Sequence, residues 1–179
     1  INLSSYKLIK IERIKLINNN YFKKININKK ILINSFFDEN IFKKDLDYIN
    51  NKYSRFKNII YLIDKNNNIF IISYKKNKKM YDVYLIDYFT KNKEDIYNFY
   101  NNLKYIKLHK NDGKEINFYT WDKINKISKT KKNLKKKYLI PKTYFPKFIP
   151  LKKIDKKILT FIRSKSFKMG DTDSFYEYN

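Results

Sequence analysis

The clearest hydrophobic pattern in the chain is a set of three apolar runs separated by short polar breaks. The runs cover residues 58–64, 69–74 and 80–89, and the breaks between them are rich in asparagine and lysine. Runs of this length, bounded by turn-forming polar residues, are typical of consecutive β-strands. They predict an antiparallel meander. A fourth run, residues 115–121, follows Gly113 and predicts another strand of the same sheet.

Two further segments carry apolar residues at the three- and four-residue steps of an amphipathic helix. The first covers residues 40–56, with Asp38 as its predicted N-cap, and its apolar face consists of Phe42, Leu46, Ile49, Tyr53 and Phe56. The second begins after Asn92, a predicted cap, and its early acids Glu94 and Asp95 suit the positive end of the helix dipole. Its apolar face consists of Ile96, Phe99, Tyr100, Leu103 and Ile106.

The order strand, strand, strand, helix, strand predicts an α+β (or α/β) fold, with a small, mainly antiparallel sheet and the two amphipathic helices layered on one face. An RNase-H-like arrangement is one form of this fold. The compact domain covers residues 31–122. Residues 1–30 are a basic N-terminal extension, because their apolar positions fit neither a regular helix nor a regular strand. Residues 123–179 are a long basic, proline-spaced C-terminal extension with an acidic end.

Charge is the strongest functional feature of the sequence. The 41 lysine and arginine residues face 17 acids, which leaves a net charge of +24. Residues 123–168 hold 17 of the basic residues and one acid, whereas residues 58–122 are nearly balanced. The composition is typical of an AT-rich genome, since the chain is rich in Ile, Asn and Lys and lacks Ala, Gln and Cys. Such a bias also favours Asp and Glu, so it does not account for the excess of cations.

Several classes of chemistry receive no support from the sequence. The chain has no cysteine, so disulfides and thiolate metal sites are excluded. No apolar run approaches the length of a membrane span. His109 is the only histidine and lies close to lysines, and Gly113 and Gly170 are too few and too far apart to form a phosphate-binding loop. We therefore expect no catalytic residue, no metal, no cofactor and no small-molecule substrate.

The basic extension predicts an RNA-binding arm. Lysines interleaved with tyrosine and phenylalanine neutralise phosphates while the rings stack on bases. Pro141, Pro146 and Pro150 keep the segment extended. The predicted RNA-binding residues are Lys131, Lys132, Lys135, Lys136, Lys137, Lys142, Tyr144, Phe145, Lys147, Phe148, Lys152, Lys153, Arg163 and Lys165. The scarcity of arginine favours phosphate and shape contacts over the reading of bases.

The acidic end of the chain suggests an alternative function. The run Gly170-Asp171-Thr172-Asp173-Ser174 resembles motif C of family B DNA polymerases, and the resemblance implies that Asp171 and Asp173 help to hold catalytic magnesium ions. The predicted element order also resembles the RNase-H-like layer of proofreading exonucleases, which implies a role for Asp64 at the end of the first strand. The motif covers five residues, and Asn66 stands where the second exonuclease acid is expected. This alternative is a metal-dependent nuclease or a polymerase-related fragment.

The main prediction is a structural, rRNA-binding component of a large ribonucleoprotein. We favour an organellar ribosomal protein whose partners are rRNA and neighbouring ribosomal proteins. The chain begins at Ile1 rather than Met, which suits removal of an organellar presequence, and we favour a mitochondrion over a plastid. A second alternative is an accessory subunit of an organellar membrane complex, with the basic arm on anionic lipid.

Overall fold

The computed structural model describes residues 6–27, 45–53, 58–92, 94–108, 114–123 and 136–139. The strands in these ranges are β1 (Tyr6–Lys15), β2 (Lys23–Lys24), β3 (Ile59–Ile63), β4 (Ile69–Asn77), β5 (Met80–Phe89), β6 (Glu115–Lys123) and β7 (Lys136–Leu139). The helices are α1 (Leu46–Tyr53) and α2 (Asp95–Asn101), and a 3-10 turn (Leu103–Tyr105) follows α2.

The strands form one mixed sheet in the order β2-β3-β4-β5-β6-β1-β7. Neighbouring strands are antiparallel except β5 and β6, which are parallel. A parallel pair needs a crossover connection, and α2 lies in the segment that joins these two strands. The predicted meander is confirmed as β3, β4 and β5, and the fourth predicted strand is confirmed as β6. The sheet and its two helices make an α+β fold.

The two helices pack on opposite faces of the sheet, so the expectation that both cover one face is wrong. Phe99 of α2 packs with Phe70 of β4 in one core, whereas Ile49 and Tyr53 of α1 pack with Ile69 in the other. Successive residues of β4 therefore enter different cores. A strand buried on both faces has a continuous apolar sequence rather than an alternating one. The runs in β4 and β5 consequently carried no information about which face each helix covers.

Helix α1 is shorter than predicted and has a different cap. It begins at Leu46, and the Oδ1 of Asp45 accepts a hydrogen bond from the backbone N of Tyr48 at 2.9 Å. This is the geometry of an N-cap, which satisfies one of the free amides of the first turn. Asp38, the predicted cap, lies outside the described residues, as do residues 40–44.

Helix α2 confirms its predicted apolar face. The cap region is held by Asp95, whose Oδ2 accepts a hydrogen bond from the backbone N of Asn92 at 3.1 Å. The N-cap residue is Glu94 rather than the predicted Asn92, and the Glu94 side chain makes no capping bond. The face itself is buried throughout, at Ile96, Phe99, Tyr100, Leu103 and Ile106.

Strand β1 lies in the stretch that the sequence assigns to a basic extension. It pairs with β6 on one side and with β7 on the other. Its register shifts between Ile11 and Ile14, and Arg13 in this bulge has a φ of 51°. Ile9, Ile11 and Ile14 of β1 enter one core, together with Leu16 just after the strand. The extra residue breaks the two-residue alternation, and for this reason no regular strand is visible in the sequence.

Candidate nucleic-acid interface

The tip of the β4–β5 hairpin is strongly cationic. Lys75, Lys76, Lys78 and Lys79 are all exposed. The chain turns at Lys78 and Lys79, and Lys78 adopts a left-handed φ of 53°. This conformation favours glycine or asparagine, because the Cβ of other residues crowds the backbone. Within the described part of the chain, none of these four lysines has an ion-pair partner.

Three further cations lie at the same end of the sheet. Residues Lys76, Tyr81, Ile116 and Ile14 form one row across β4, β5, β6 and β1. The row spans roughly 14 Å, since it crosses three gaps of about 4.8 Å each. Beside or beyond it lie Arg13 and Lys15, which are exposed, and Lys114, which is half-buried. We call this set the cationic end of the sheet, consisting of Arg13, Lys15, Lys75, Lys76, Lys78, Lys79 and Lys114.

The carboxylate of Asp82 anchors this end. It is buried, and its Oδ2 accepts a hydrogen bond from the Nδ2 of Asn77 at 2.7 Å. Its Oδ1 accepts bonds from the Nδ2 of Asn117 at 3.0 Å and from the hydroxyl of Tyr119 at 3.3 Å. The acid thus ties the hairpin to β6 through uncharged donors, and it makes no ion pair with the surface lysines in the described residues.

The environment of Tyr119 keeps its hydroxyl protonated. Burial is the main cause that raises the pKa of Tyr119, and the charges of Asp82 and the nearby Tyr84 add to it. The ring stacks on Tyr84 with 4.8 Å between centroids. A protonated phenol is the form that donates to Asp82, so the pKa shift and the hydrogen bond have the same origin.

Two half-buried tyrosines stand beside the lysines. The rings of Tyr74 and Tyr81 are 6.0 Å apart, and the Nζ of Lys114 lies 4.9 Å from the centroid of the Tyr81 ring. A cation over a tyrosine ring is stabilised by the ring quadrupole. Aromatic side chains among lysines are typical of surfaces that bind unpaired RNA, because rings stack on bases and lysines contact phosphates.

The opposite end of the sheet is organised by Asp64. Its Oδ1 accepts hydrogen bonds from the backbone N of Asn66 at 2.8 Å and of Asn68 at 2.9 Å, and its Oδ2 accepts one from the Nδ2 of Asn68 at 2.9 Å. Asn67 between them has a φ of 62°. An aspartate that satisfies the amides of the following turn is a common turn former. These three bonds give Asp64 a structural role in the β3–β4 turn.

Of the three acids named in the catalytic alternative, the structure describes Asp64. Asp171 and Asp173 lie outside the described residues, as does His109. In the ranges that the structure describes, no three His, Cys, Asp or Glu side chains are grouped as metal ligands would be.

The predicted RNA-binding arm is described only in part. Lys136 and Lys137 lie in β7, where they pair with Ile11 and Lys10 of β1. This portion of the basic segment is therefore an added strand of the sheet. The other predicted RNA-binding residues lie outside the described ranges: Lys131, Lys132, Lys135, Lys142, Tyr144, Phe145, Lys147, Phe148, Lys152, Lys153, Arg163 and Lys165.

Sequence reasoning missed the cationic end. The lysine-rich break at residues 75–79 served only as a turn signal, and the near-neutral charge of its surroundings concealed it. A useful signal was present, because two Lys-Lys pairs flank Asn77 between two strands, and a hairpin exposes both pairs together. The bulge that brings Arg13 to the same end has no comparable signal.

Neither helix of the described structure has the length and apolar character needed to cross a bilayer. Comparisons with protein-family models, with curated proteins and with solved structures find no match to this chain.

Proposed function

We propose that this protein is an RNA-binding structural component of a large ribonucleoprotein, and that its partners are RNA and neighbouring proteins of the same particle. The observation that carries the proposal is the cationic end of the sheet. The four exposed lysines of the hairpin tip and the residues beside them form a charged surface at one end of the sheet. An organellar ribosomal protein, with rRNA as its ligand and a mitochondrion as its compartment, remains the specific form of this proposal.

The proposed mechanism is release of counterions from the RNA backbone. Each lysine that contacts a phosphate displaces condensed cations, so log K falls with log salt by roughly 0.7 per phosphate on a single strand. Four such contacts from Lys75, Lys76, Lys78 and Lys79 give a slope of about −3. Asp82 holds the hairpin to β6, which limits the conformational entropy lost when the RNA binds.

The basic segment after residue 123 extends this surface in the proposal. Residues 123–168 hold 17 basic residues and a single acid. Strand β7 fixes part of it beside β1, the strand that carries Arg13. Cations from the segment and from the sheet end then act on one RNA, and two linked contact regions bind more tightly than either does alone.

The test measures binding of a fluorescent rRNA stem-loop to the full chain by anisotropy at several salt concentrations. The variant Lys78→Gln/Lys79→Gln removes two cations from the hairpin tip. The control Lys52→Gln removes a cation from α1, which belongs to neither the hairpin tip nor the opposite end of the sheet. We expect the hairpin variant to lower the salt slope by about 1.4 and the control to change it little. Equal effects of the two variants would contradict a localised RNA surface.

The same samples test the remaining alternatives. Magnesium-dependent cleavage of RNA or DNA that is lost in Asp171→Ala and Asp173→Ala would replace the proposal with the nuclease or polymerase-related alternative. The RNase-H-like form of the fold belongs to that alternative and stays a prediction. Binding to cardiolipin vesicles in the absence of RNA binding would replace it with the membrane-complex alternative.

A further inference from the structure

A cavity of about 230 Å³ opens at the end of the sheet opposite the cationic end. Its walls come from the segment before β2 and from the β3–β4 turn, and they include Asn20, Tyr21, Lys23, Asp64, Lys65 and Asn67. Strand β4 separates this cavity from the hairpin tip, and its nine residues span roughly 27 Å at about 3.3 Å each. The cavity is therefore independent of the surface described above.

Two lysines, Lys23 and Lys65, and one acid, Asp64, line this cavity. Lys23 and Lys65 are exposed and have no ion-pair partner among the described residues. Lys24 and Lys107 lie beside them, and burial together with the charge of Lys107 lowers the pKa of Lys24. Both oxygens of Asp64 already accept hydrogen bonds within the β3–β4 turn. An anion in the cavity would relieve the repulsion among these lysines.

The cavity also has an aromatic wall and fixed amides. Tyr21 stacks on Tyr105 with 5.8 Å between ring centroids, and it meets Phe22 edge to face at 4.8 Å. Burial, followed by the charges of Asp64 and Asp95, raises the pKa of Tyr21, so its hydroxyl stays neutral. The Nζ of Lys107 donates to the Oδ1 of Asn20 at 2.8 Å, which orients that amide.

We propose that this cavity holds one unpaired nucleotide of a bound RNA, with its base against Tyr21 and its phosphate between Lys23 and Lys65. The combination of an aromatic ring, side-chain amides and two ammonium groups suits a base that carries a phosphate. The volume suits one nucleotide rather than a larger ligand. This inference rests on the proposed function, since it names a second point at which the same RNA is held.

The test titrates the isotope-labelled full chain with uridine 5′-monophosphate and adenosine 5′-monophosphate. Inorganic phosphate is the control ligand, because it carries the phosphate without a base. We expect the nucleotides to shift the NMR signals of Asn20, Tyr21 and Lys23 and to bind more tightly than phosphate. Tyr21→Leu lowers nucleotide affinity by about tenfold, the size of one lost stacking contact, whereas Tyr21→Phe retains it. Lys23→Gln/Lys65→Gln lowers it as well. Thermal melting of each variant shows whether the fold is kept.

Lys52→Gln is the control and leaves nucleotide affinity unchanged, because Lys52 lies in α1 and lines neither the cavity nor the cationic end. Equal affinity for phosphate and nucleotide overturns the assignment, because it means that the base is not recognised. Unchanged affinity in Tyr21→Leu overturns it too. If the rRNA stem-loop binds but the nucleotides do not, the cavity is not a nucleotide site and the proposed function stands. If the nucleotides bind but the stem-loop does not, the proposed function is wrong.

Discussion

The hydroxyl of Tyr53 in α1 donates a hydrogen bond to the Oδ2 of Asp87 in β5 at 3.3 Å. Both residues are fully buried. The Oδ1 of Asp87 also accepts a bond from the backbone N of Tyr88 at 2.8 Å. Asp87 follows the point where the register of β5 against β4 shifts by one residue. The bond therefore joins α1 to an irregularity in a central strand, and it places a polar contact inside an otherwise apolar layer.

Removal of the Tyr53 hydroxyl should destabilise the fold. We expect Tyr53→Phe to lower the free energy of unfolding by about 1–3 kcal/mol, because a buried carboxylate loses one of its donors. Urea denaturation with an unchanged m-value measures this. Tyr48→Phe is the control in the same helix, since its hydroxyl meets the half-buried Lys52, and we expect a loss under about 0.5 kcal/mol. Equal losses would mean that the Asp87 contact contributes little.

Lys78 should lower the stability of the fold while it strengthens RNA binding. Its left-handed φ of 53° is unfavourable for lysine and tolerated by asparagine. We expect Lys78→Asn to raise the free energy of unfolding by roughly 0.5–1 kcal/mol and to weaken RNA binding by the loss of one phosphate contact. Lys79→Asn removes the same charge without the left-handed backbone, so it should weaken binding without stabilising the fold. A Lys78→Asn variant that binds RNA normally would contradict the role of the hairpin tip.

Alkaline pH should destabilise the protein through Tyr119. Burial and the charge of Asp82 raise the folded-state pKa of this phenol above the ordinary tyrosine value of about 10. Above pH 10 the unfolded chain loses this proton while the folded chain retains it, so stability is full below pH 10 and falls as the pH rises. Urea denaturation between pH 9 and pH 11 should show a smaller decline for Tyr119→Phe. Parallel declines in the variant and the parent would exclude Tyr119 as a source of the effect.

Deletion of Arg13 should be tolerated better than deletion of Lys10. Without Arg13 the β1 bulge becomes a regular strand, and Ile11 and Ile14 still point to the same core. Without Lys10, Ile9 and Ile11 become adjacent, and one of them must leave the core. We expect a loss under about 1.5 kcal/mol for the first deletion and about 2–5 kcal/mol for the second. Thermal and urea unfolding measure both, and the reverse order would contradict the assigned bulge.

Local patterns in the sequence determined the elements whose side chains repeat regularly. The meander of β3 to β5 and the buried face from Ile96 to Ile106 follow from apolar periodicity and polar breaks alone. The excess of cations is likewise a property of the sequence. Periodicity shows that a face is buried, but it does not show what covers it. Apolar periodicity therefore could not predict that α1 and α2 lie on opposite faces of the sheet.

Only the tertiary structure determines where on the protein the positive charge lies. Arg13, Lys75–Lys79 and Lys114 are far apart in the chain, and they meet because β4, β5, β6 and β1 are neighbours in the sheet. That order depends on long-range strand pairing, which no local pattern encodes. The same pairing gives Asp82 two side-chain amides and a phenol as hydrogen-bond donors, whereas the sequence shows only an acid near lysines. The composition determines how much positive charge the protein carries, and the fold determines where on the surface that charge lies.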